Sequence, residues 1–375
     1  MSRPPHIVFA GGAKPGHLYP GLAVAAHLIE RIPNATVTFV GSTRGMDHHV
    51  IRAAGFGYAC VPSHPEPQNA LHAVRFVTHN VAGYWASRWF LKENHVSAVV
   101  GLGGASSAAT VRAAISRGIP TVLLEQNVVP GRVNRWLSRS ANAVCAGFAA
   151  TRSYFPSAVP ISVTGNPARP AFERLYRQPV GVRKRSDVKR LIILGGAGGA
   201  RSLNEHMPYA LARLRAHLTD WQILHQSGEG QLQKTDARYR AAGVEALVVA
   251  YIDEIAPIMF GSDLVVCRSG GTTLAELALA GTPAILVPYP PIMQFHLANA
   301  EVFAEADAAR VIDESDLIGP LAEALADQLE PLLSDGTRRQ RMAANMRRMA
   351  RPAAAANVTE LVYEAMFPMS ARLAA

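Results

Sequence analysis

The sequence is poor in cysteine: Cys60, Cys145 and Cys267 are the only three, and none stands in C-x-x-C spacing. That excludes a disulfide framework and a thiolate zinc site, and it fits a reducing compartment. No apolar run reaches the roughly 18–20 residues that a helix needs to cross a bilayer. The opening "MSRPPHIVFAGG" lacks the apolar core of a secretory signal. Charge is sparse, at 17% of residues against 49% hydrophobic, which leaves no room for long disorder. What charge there is leans one way: the net value is +9 and the isoelectric point about 9.7. An anionic partner is favoured, whether nucleic acid, a phosphorylated substrate or an anionic membrane face. Dense basic runs are confined to residues 164–190 and the tail, which argues against a nucleic-acid surface. Cofactor signatures are missing as well. There is no G-x-x-x-x-G-K-[ST], "GGAGGA" lacks the G-x-G-x-x-G spacing, and "GSTRGMD" offers no ribose-binding acid at a strand end. NAD and ATP are therefore disfavoured. No Asp-x-Asp or histidine cluster points to a metal, and His48 and His49 read as solvated helix residues. No cofactor is expected.

The pattern that is present alternates short apolar runs with longer amphipathic segments. Residues 6–10, 36–40, 58–61, 97–102, 120–124 and 142–146 read as buried strands, with helical stretches after most of them. Residues 191–196, 221–226, 246–252, 263–268 and 283–288 repeat the scheme. This is the parallel α/β signature. The predicted fold is two Rossmann-like domains whose parallel sheets face a central cleft. The segment 164–190, rich in proline and charge, reads as the linker. The domains are placed at 1–165 and 166–350; the tail from "LADQLEPLL" onward reads as helical with a bend at Pro352, and a C-terminal helix over 351–375 is expected to pack back toward the first.

Four strand-to-helix turns carry glycine clusters: "AGGAKPGH" (10–17), "GLGGASS" (101–107), "GGAGGAR" (195–201) and "RSGGTT" (268–273). Glycine lets a ligand approach the backbone, and the helix that follows presents free N–H groups and a partial positive charge. Four such turns, two in each half, point to a nucleotide-diphosphate substrate. Glu276 has two readings. Three residues after Thr273, it completes a capping box; alternatively its carboxylate takes both hydroxyls of a ribose. His17 is either a packed or capping histidine or a base. Residues 71–95 are helical in period, with Val74, Val77, Val81, Trp85 and Trp89 recurring and Arg75, Arg88 and Lys92 alongside. They form either a core helix or a patch that dips into an anionic leaflet.

The motifs "GHLYPGLAVAAHL", "EQNVVPGRVNR", "TGNPAR", "GGAGGARSLNEHMPYAL", "CRSGGTTLAE" and "NAEVF", in this order between about residues 6 and 305, resemble the MurG family. These are inverting GT-B transferases that move N-acetylglucosamine from UDP-GlcNAc to undecaprenyl-diphosphate-MurNAc-pentapeptide in peptidoglycan synthesis, on the cytoplasmic face of the cell membrane. The resemblance implies that the C-terminal half holds the donor. Glu276 takes the ribose, and Arg169 with the backbone of Ile252 reads the uracil. Gly271, Thr272, Thr273, Leu274 and Ala275, with the turn containing Ala197, hold the diphosphate. His296 stands where a sugar-binding glutamine is expected, and Asn127 lies near the transferred sugar. Lys14, Gly16, Gly104 and Ser106 face the acceptor diphosphate. His17 is the general base, suited by the ordinary pKa of imidazole. Val77, Val81, Trp85, Trp89 and Arg88 meet the membrane. Helix N-termini supply the positive field at the leaving diphosphate with no metal.

Three departures from the family pattern bear on specificity. The first loop is one residue longer and carries Lys14-Pro15, where Pro15 removes an N–H donor. Ala197 replaces a serine, and His296 replaces the glutamine. A transferase with another lipid acceptor, and a weakly active paralogue that binds UDP-sugar or lipid diphosphate, are the alternatives.

Overall fold

The structure is a computed structural model, and it describes residues 3–12, 15–41, 47–63, 70–178, 188–196 and 198–368. Apolar runs form strands and the segments between them form helices. In order these are β1 (His6–Ala10), α1 (Pro15–Arg31), β2 (Thr36–Gly41), α2 (Asp47–Ala53), β3 (Gly57–Cys60), α3 (Ala70–Glu93), β4 (Ala98–Gly101), α4 (Ala105–Ser116), β5 (Thr121–Glu125), α5 (Arg132–Leu137), β6 (Ala143–Ala146) and β7 (Ile161–Val163). There follow α6 (Pro170–Arg177), β8 (Lys189–Leu194), α7 (Arg201–Arg213), β9 (Trp221–Gln226), α8 (Leu232–Ala242), β10 (Leu247–Val249), α9 (Ile255–Phe260), β11 (Leu264–Cys267), α10 (Gly271–Ala280), β12 (Ala284–Leu286), α11 (Met293–Glu305), β13 (Ala309–Val311), α12 (Leu321–Ser334), α13 (Gly336–Arg348) and α14 (Ala354–Met366).

The chain divides into two units. One comprises the residues up to Arg169 together with those from Pro352 onward, the other Pro170–Arg351. The first contains a seven-stranded sheet of order β3-β2-β1-β4-β5-β6-β7, the second a six-stranded sheet of order β10-β9-β8-β11-β12-β13. All pairings are parallel. Each sheet is doubly wound: the chain runs outward from a central strand, returns to the centre, and runs out the other way. The reversal falls between β1 and β4 in the first unit and between β8 and β11 in the second.

A parallel sheet covered on both faces needs strands that are apolar throughout rather than alternating. Every residue of β4, β5, β6, β11 and β12 is buried. In the first unit Ile7, Phe9, Val37 and Phe39 face one core layer with α1, while Val8, Val40, Val99 and Leu123 face another with residues of α3 and α4. In the second, Leu191 and Ile193 meet Leu203 and Met207 of α7 and Leu325 and Leu329 of α12.

The segment read as a linker departs from expectation, because it contains α6. Phe172 of that helix is fully buried, with its ring 5.9 Å from Phe260. Strands β7 and β13 were not anticipated; each has only three residues. Pro352 lies in the break between α13 and α14. Helix α14 packs on α1, placing Ala355, Val358 and Val362 in the core around Ile7 and Phe9. Arg31 and Glu360 close that contact with a 2.9 Å ion pair.

Candidate active site

The four glycine turns lie at the two reversal points of the sheets, after β1, β4, β8 and β11. In open α/β sheets this is where the carboxyl ends of the strands part and leave a crevice for ligands. Three of the helices that begin there are described from their N-cap onward. Helix α4 starts after Gly104, α7 after Ala200 and α10 after Gly270, and none of these residues has a side chain that accepts from the amides of its helix. A helix N-terminus without a capping side chain leaves amide donors directed at whatever anion comes near.

In the first unit the turns after β1 and β4 touch. A Cβ on Gly11 would stand 2.9 Å from the Gly103 carbonyl oxygen, so only glycine permits the approach. Gly104 has φ +75°, and a Cβ there would lie 3.5 Å from Nδ1 and Cε1 of His17. The structure thus brings the His17 ring onto the Gly104 turn. Ser106 is buried, and Ser107 Oγ donates to the Gly104 carbonyl at 2.8 Å.

Next to this turn lies a buried carboxylate, the glutamate of "EQN". Glu125 ends β5 with 3% exposure. Its Oε1 accepts from the Asn127 amide N (3.0 Å) and Nδ2 (3.3 Å), and its Oε2 from Gly131 N (3.0 Å) and Asn134 Nδ2 (2.9 Å). Burial pushes this carboxyl above the usual carboxylate range, while the donors from Asn134, Gly131 and Asn127 pull the other way. The cluster orders Asn127, whose carbonyl also accepts from Thr151 Oγ1 at 3.0 Å. Arg169 belongs to this unit too, with its guanidinium 4.9 Å from the centre of the Tyr19 ring. In "TGNP", Asn166 is buried and neither of its amide atoms has a hydrogen-bond partner among the described residues.

In the second unit α10 begins at Gly271, so Thr273 lies within its first turn and cannot be the N-cap. The capping-box reading of Glu276 therefore fails; the carboxylate lies in the second turn and is only 2% exposed. Gly271, Thr272 and Leu274 are buried, and Thr273 and Ala275 are partly so. His296, at the start of α11, sits beside this turn: a Cβ on Gly270 would be 3.9 Å from its Nε2, while its Nδ1 accepts from Tyr289 N at 3.3 Å. The backbone N–H of Ile252 is already engaged, donating to Gln226 Oε1 at 3.2 Å.

Arg268, which precedes the Gly-Gly pair, joins three loops. It pairs with Glu314, donates to the carbonyls of Val287 (3.0 Å) and Pro288 (3.1 Å), and reaches Ser202 Oγ on α7 at 2.8 Å. Ser202 in turn donates to Glu314 at 2.9 Å. The two turns of this unit are thereby tied together through their helices.

Lys14 and Ala197 lie outside the described residues, as does the side chain of Val77. On α3 the other membrane candidates stand out: Val81, Trp85 and Trp89 are 52%, 62% and 66% exposed, one helical turn apart. Arg88 Nη1 donates to Ser116 Oγ at 2.9 Å on α4. Among the described residues no helix is long and apolar enough to cross a membrane, and no three His, Cys, Asp or Glu side chains group as metal ligands would.

Residues 7–146 match the glycosyltransferase family 28 N-terminal domain and residues 190–358 its C-terminal domain. The chain is 35% identical over 359 residues to the UDP-N-acetylglucosamine–N-acetylmuramyl-(pentapeptide) pyrophosphoryl-undecaprenol N-acetylglucosamine transferase of Geobacter sulfurreducens, covering 95% of this chain and 98% of that one. The protein of the same name from Anaeromyxobacter is 34% identical over 360 residues, with 96% and 92% covered. The crystal structure of Acinetobacter baumannii MurG superposes with a TM-score of 0.75 at 27% identity, over 96% of this chain and all of that one. The UDP-GlcNAc 2-epimerase from Neisseria meningitidis, at 14% identity and a TM-score of 0.66, shares the fold. The chain belongs to the MurG family, within glycosyltransferase family 28.

Proposed function

We propose that this protein transfers N-acetylglucosamine from UDP-GlcNAc to undecaprenyl-diphosphate-MurNAc-pentapeptide, completing the lipid-linked unit of peptidoglycan. One observation carries the reading. Both halves of the chain match the family, and each half places its paired glycine turns at the sheet reversal point, beside a helix N-terminus with no capping side chain.

Residues 170–351 serve the donor. The amides around 195–201 and Gly271–Ala275 grip the diphosphate, Glu276 takes the ribose hydroxyls, and Arg169 reads the uracil. For Ile252 the carbonyl is the group left for the base, since Gln226 engages the N–H. His296 serves the sugar. Residues up to Ala168 serve the acceptor, whose diphosphate meets Lys14, Gly16, Gly104 and Ser106. His17 accepts the proton from the acceptor hydroxyl as that oxygen bonds to the anomeric carbon. The bond from that carbon to the UDP phosphate oxygen breaks on the opposite face, and the positive ends of α7 and α10 receive the charge that develops. Asn127, held by Glu125, orients the reacting sugar.

The acceptor carries a polyprenyl tail that stays in the bilayer, so the enzyme must come to the membrane. Val81, Trp85 and Trp89, with Arg88 nearby, form the contact of a peripheral protein with an anionic leaflet, on the side where UDP-sugars are made. The test is release of UDP on incubation with UDP-GlcNAc and lipid-linked MurNAc-pentapeptide. Turnover that requires this acceptor is expected. Turnover with a polyprenyl diphosphate lacking the muropeptide, or donor binding without turnover, would overturn the reading.

A further inference from the structure

Behind the turn at Gly199, three buried side chains form a line of hydrogen bonds that the reaction itself does not use. Tyr239 on α8, His225 on β9 and Asn204 on α7 are exposed by 1%, 0% and 1%. The Tyr239 hydroxyl stands 2.9 Å from His225 Nδ1, His225 Nε2 stands 2.9 Å from Asn204 Oδ1, and Asn204 Nδ2 donates to the Ser227 carbonyl at 2.8 Å. Proton inventory fixes the direction. The Asn204 amide spends its N–H on Ser227, so its oxygen must accept, and His225 Nε2 carries the hydrogen. Nδ1 is then an acceptor, and the Tyr239 phenol is its donor.

The end of the line matters because of what rests on it. Gly199 has φ +74°, and any side chain there would run into the Ser227 carbonyl; a Cβ on Gly228 would run into the Gly199 backbone. The glycine turn therefore lies directly on the carbonyl that Asn204 orients. Asn204 is also in the first turns of α7, where its own N–H bonds the Ala200 carbonyl at 2.9 Å.

We propose that Tyr239, His225 and Asn204 form a positioning relay that sets the donor-diphosphate turn at Gly199, acting through the Ser227 carbonyl without touching substrate. The relay rests on the reading of that turn as the diphosphate grip. The phenol is its key. Without that proton the imidazole is free to take the other tautomer. Nε2 then becomes an acceptor, and the Asn204 amide must turn over to serve it. That movement sets Asn204 Oδ1 against the Ser227 oxygen, acceptor against acceptor, and displaces the backbone on which Gly199 lies. Amides at a helix N-terminus bind an anion well only when they converge on it. Burial, which pushes the His225 pKa down to about 3, keeps a doubly protonated ring from competing at neutral pH.

The test compares UDP with uridine by calorimetry on the full-length chain, in wild type, Tyr239→Phe and Asn204→Asp. Tyr239→Phe removes only the hydroxyl, and Asn204→Asp places an acceptor against Ser227 with no rotation. Both are expected to lose about 5–20-fold in UDP affinity, the worth of a buried hydrogen bond, with uridine affinity changed by less than about twofold. Nitrogen-15 NMR should report the Nε2–H tautomer of His225 in wild type and a mixture in Tyr239→Phe. An Nδ1–H tautomer in wild type overturns the relay. So do parallel losses for UDP and uridine, or no UDP-selective loss in either variant. Wild type that binds UDP no better than uridine removes the diphosphate reading itself, and the relay with it.

Discussion

Asn134 Nδ2 lies 2.9 Å from Glu125 Oε2, and this contact fastens α5 to the end of β5. The same nitrogen also reaches the Leu124 carbonyl at 2.8 Å. Asn134 and Glu125 are both buried, so neither can turn to water for a partner. Around them the site loop from Gln126 to Gly131 is held by one carboxylate that receives only N–H donors.

Glu125→Gln should therefore be costly although it is nearly isosteric. The new NH2 group faces a donor, and one buried N–H loses its acceptor. A loss of about 1–3 kcal/mol in chemical denaturation is expected. Transfer activity should fall as well, because Asn127 loses its anchor. An unchanged midpoint would show that the carboxylate is not what orders this loop.

His17 and Glu276 should separate kinetically. His17→Ala is expected to lower kcat by about 100–10,000-fold, the usual worth of a general base, with UDP affinity unchanged. Glu276→Ala should weaken UDP by about 10–100-fold, the worth of hydrogen bonds to a charged group. Full turnover in His17→Ala would remove its role as base.

The exposed tryptophans of α3 give a membrane prediction. Replacing Trp85 and Trp89 together by alanine should abolish co-sedimentation with phosphatidylglycerol vesicles, since each large side chain contributes roughly 1.5–3 kcal/mol when taken out of water. Activity on a short-chain, water-soluble acceptor should persist. Equal vesicle binding by wild type and variant would mean that this face does not meet lipid.

His225 predicts a pH dependence of stability. Its folded pKa, depressed to about 3 by burial, lies below the unfolded value near 6.5. The contribution is complete above pH 6.5 and drains as the pH falls toward 3, at about 1.4 kcal/mol per pH unit. His225→Gln keeps a donor and an acceptor in place but does not titrate. Between pH 7 and pH 5, wild type should lose about 2 kcal/mol more than this variant. Identical losses would mean that His225 is not held neutral in the fold.

Much of the fold is legible in the sequence because parallel strands are apolar along their whole length. "HIVFA" and "DLVVCR" leave little choice of structure. Glycine turns are equally visible, since tight approach leaves no alternative residue. What was hidden was non-local or short. Nothing in "ERLYR" distinguishes α6 from a charged linker until Phe172 finds Phe260. Three-residue strands such as β7 and β13 carry too few positions to show a period. The sheet order, and so the convergence of the turns, depends on pairing between distant segments. Arg268 and Glu314 stand 46 residues apart, and only folding joins them. Glu125 was hidden for another reason: glutamate is mostly exposed, and its burial is betrayed only by the polar "EQN" that follows an apolar run.

Because Ala355, Val358 and Val362 fill the same core as Ile7 and Phe9, synthesis order and folding order must differ. The continuous stretch from Pro170 to Arg351 can close while still emerging from the ribosome. The amino-terminal part, although translated first, must wait for residues 355–362 to supply its missing hydrophobic wall. Until α14 has been made, chaperones and proteases thus have their best access to the part that was translated earliest.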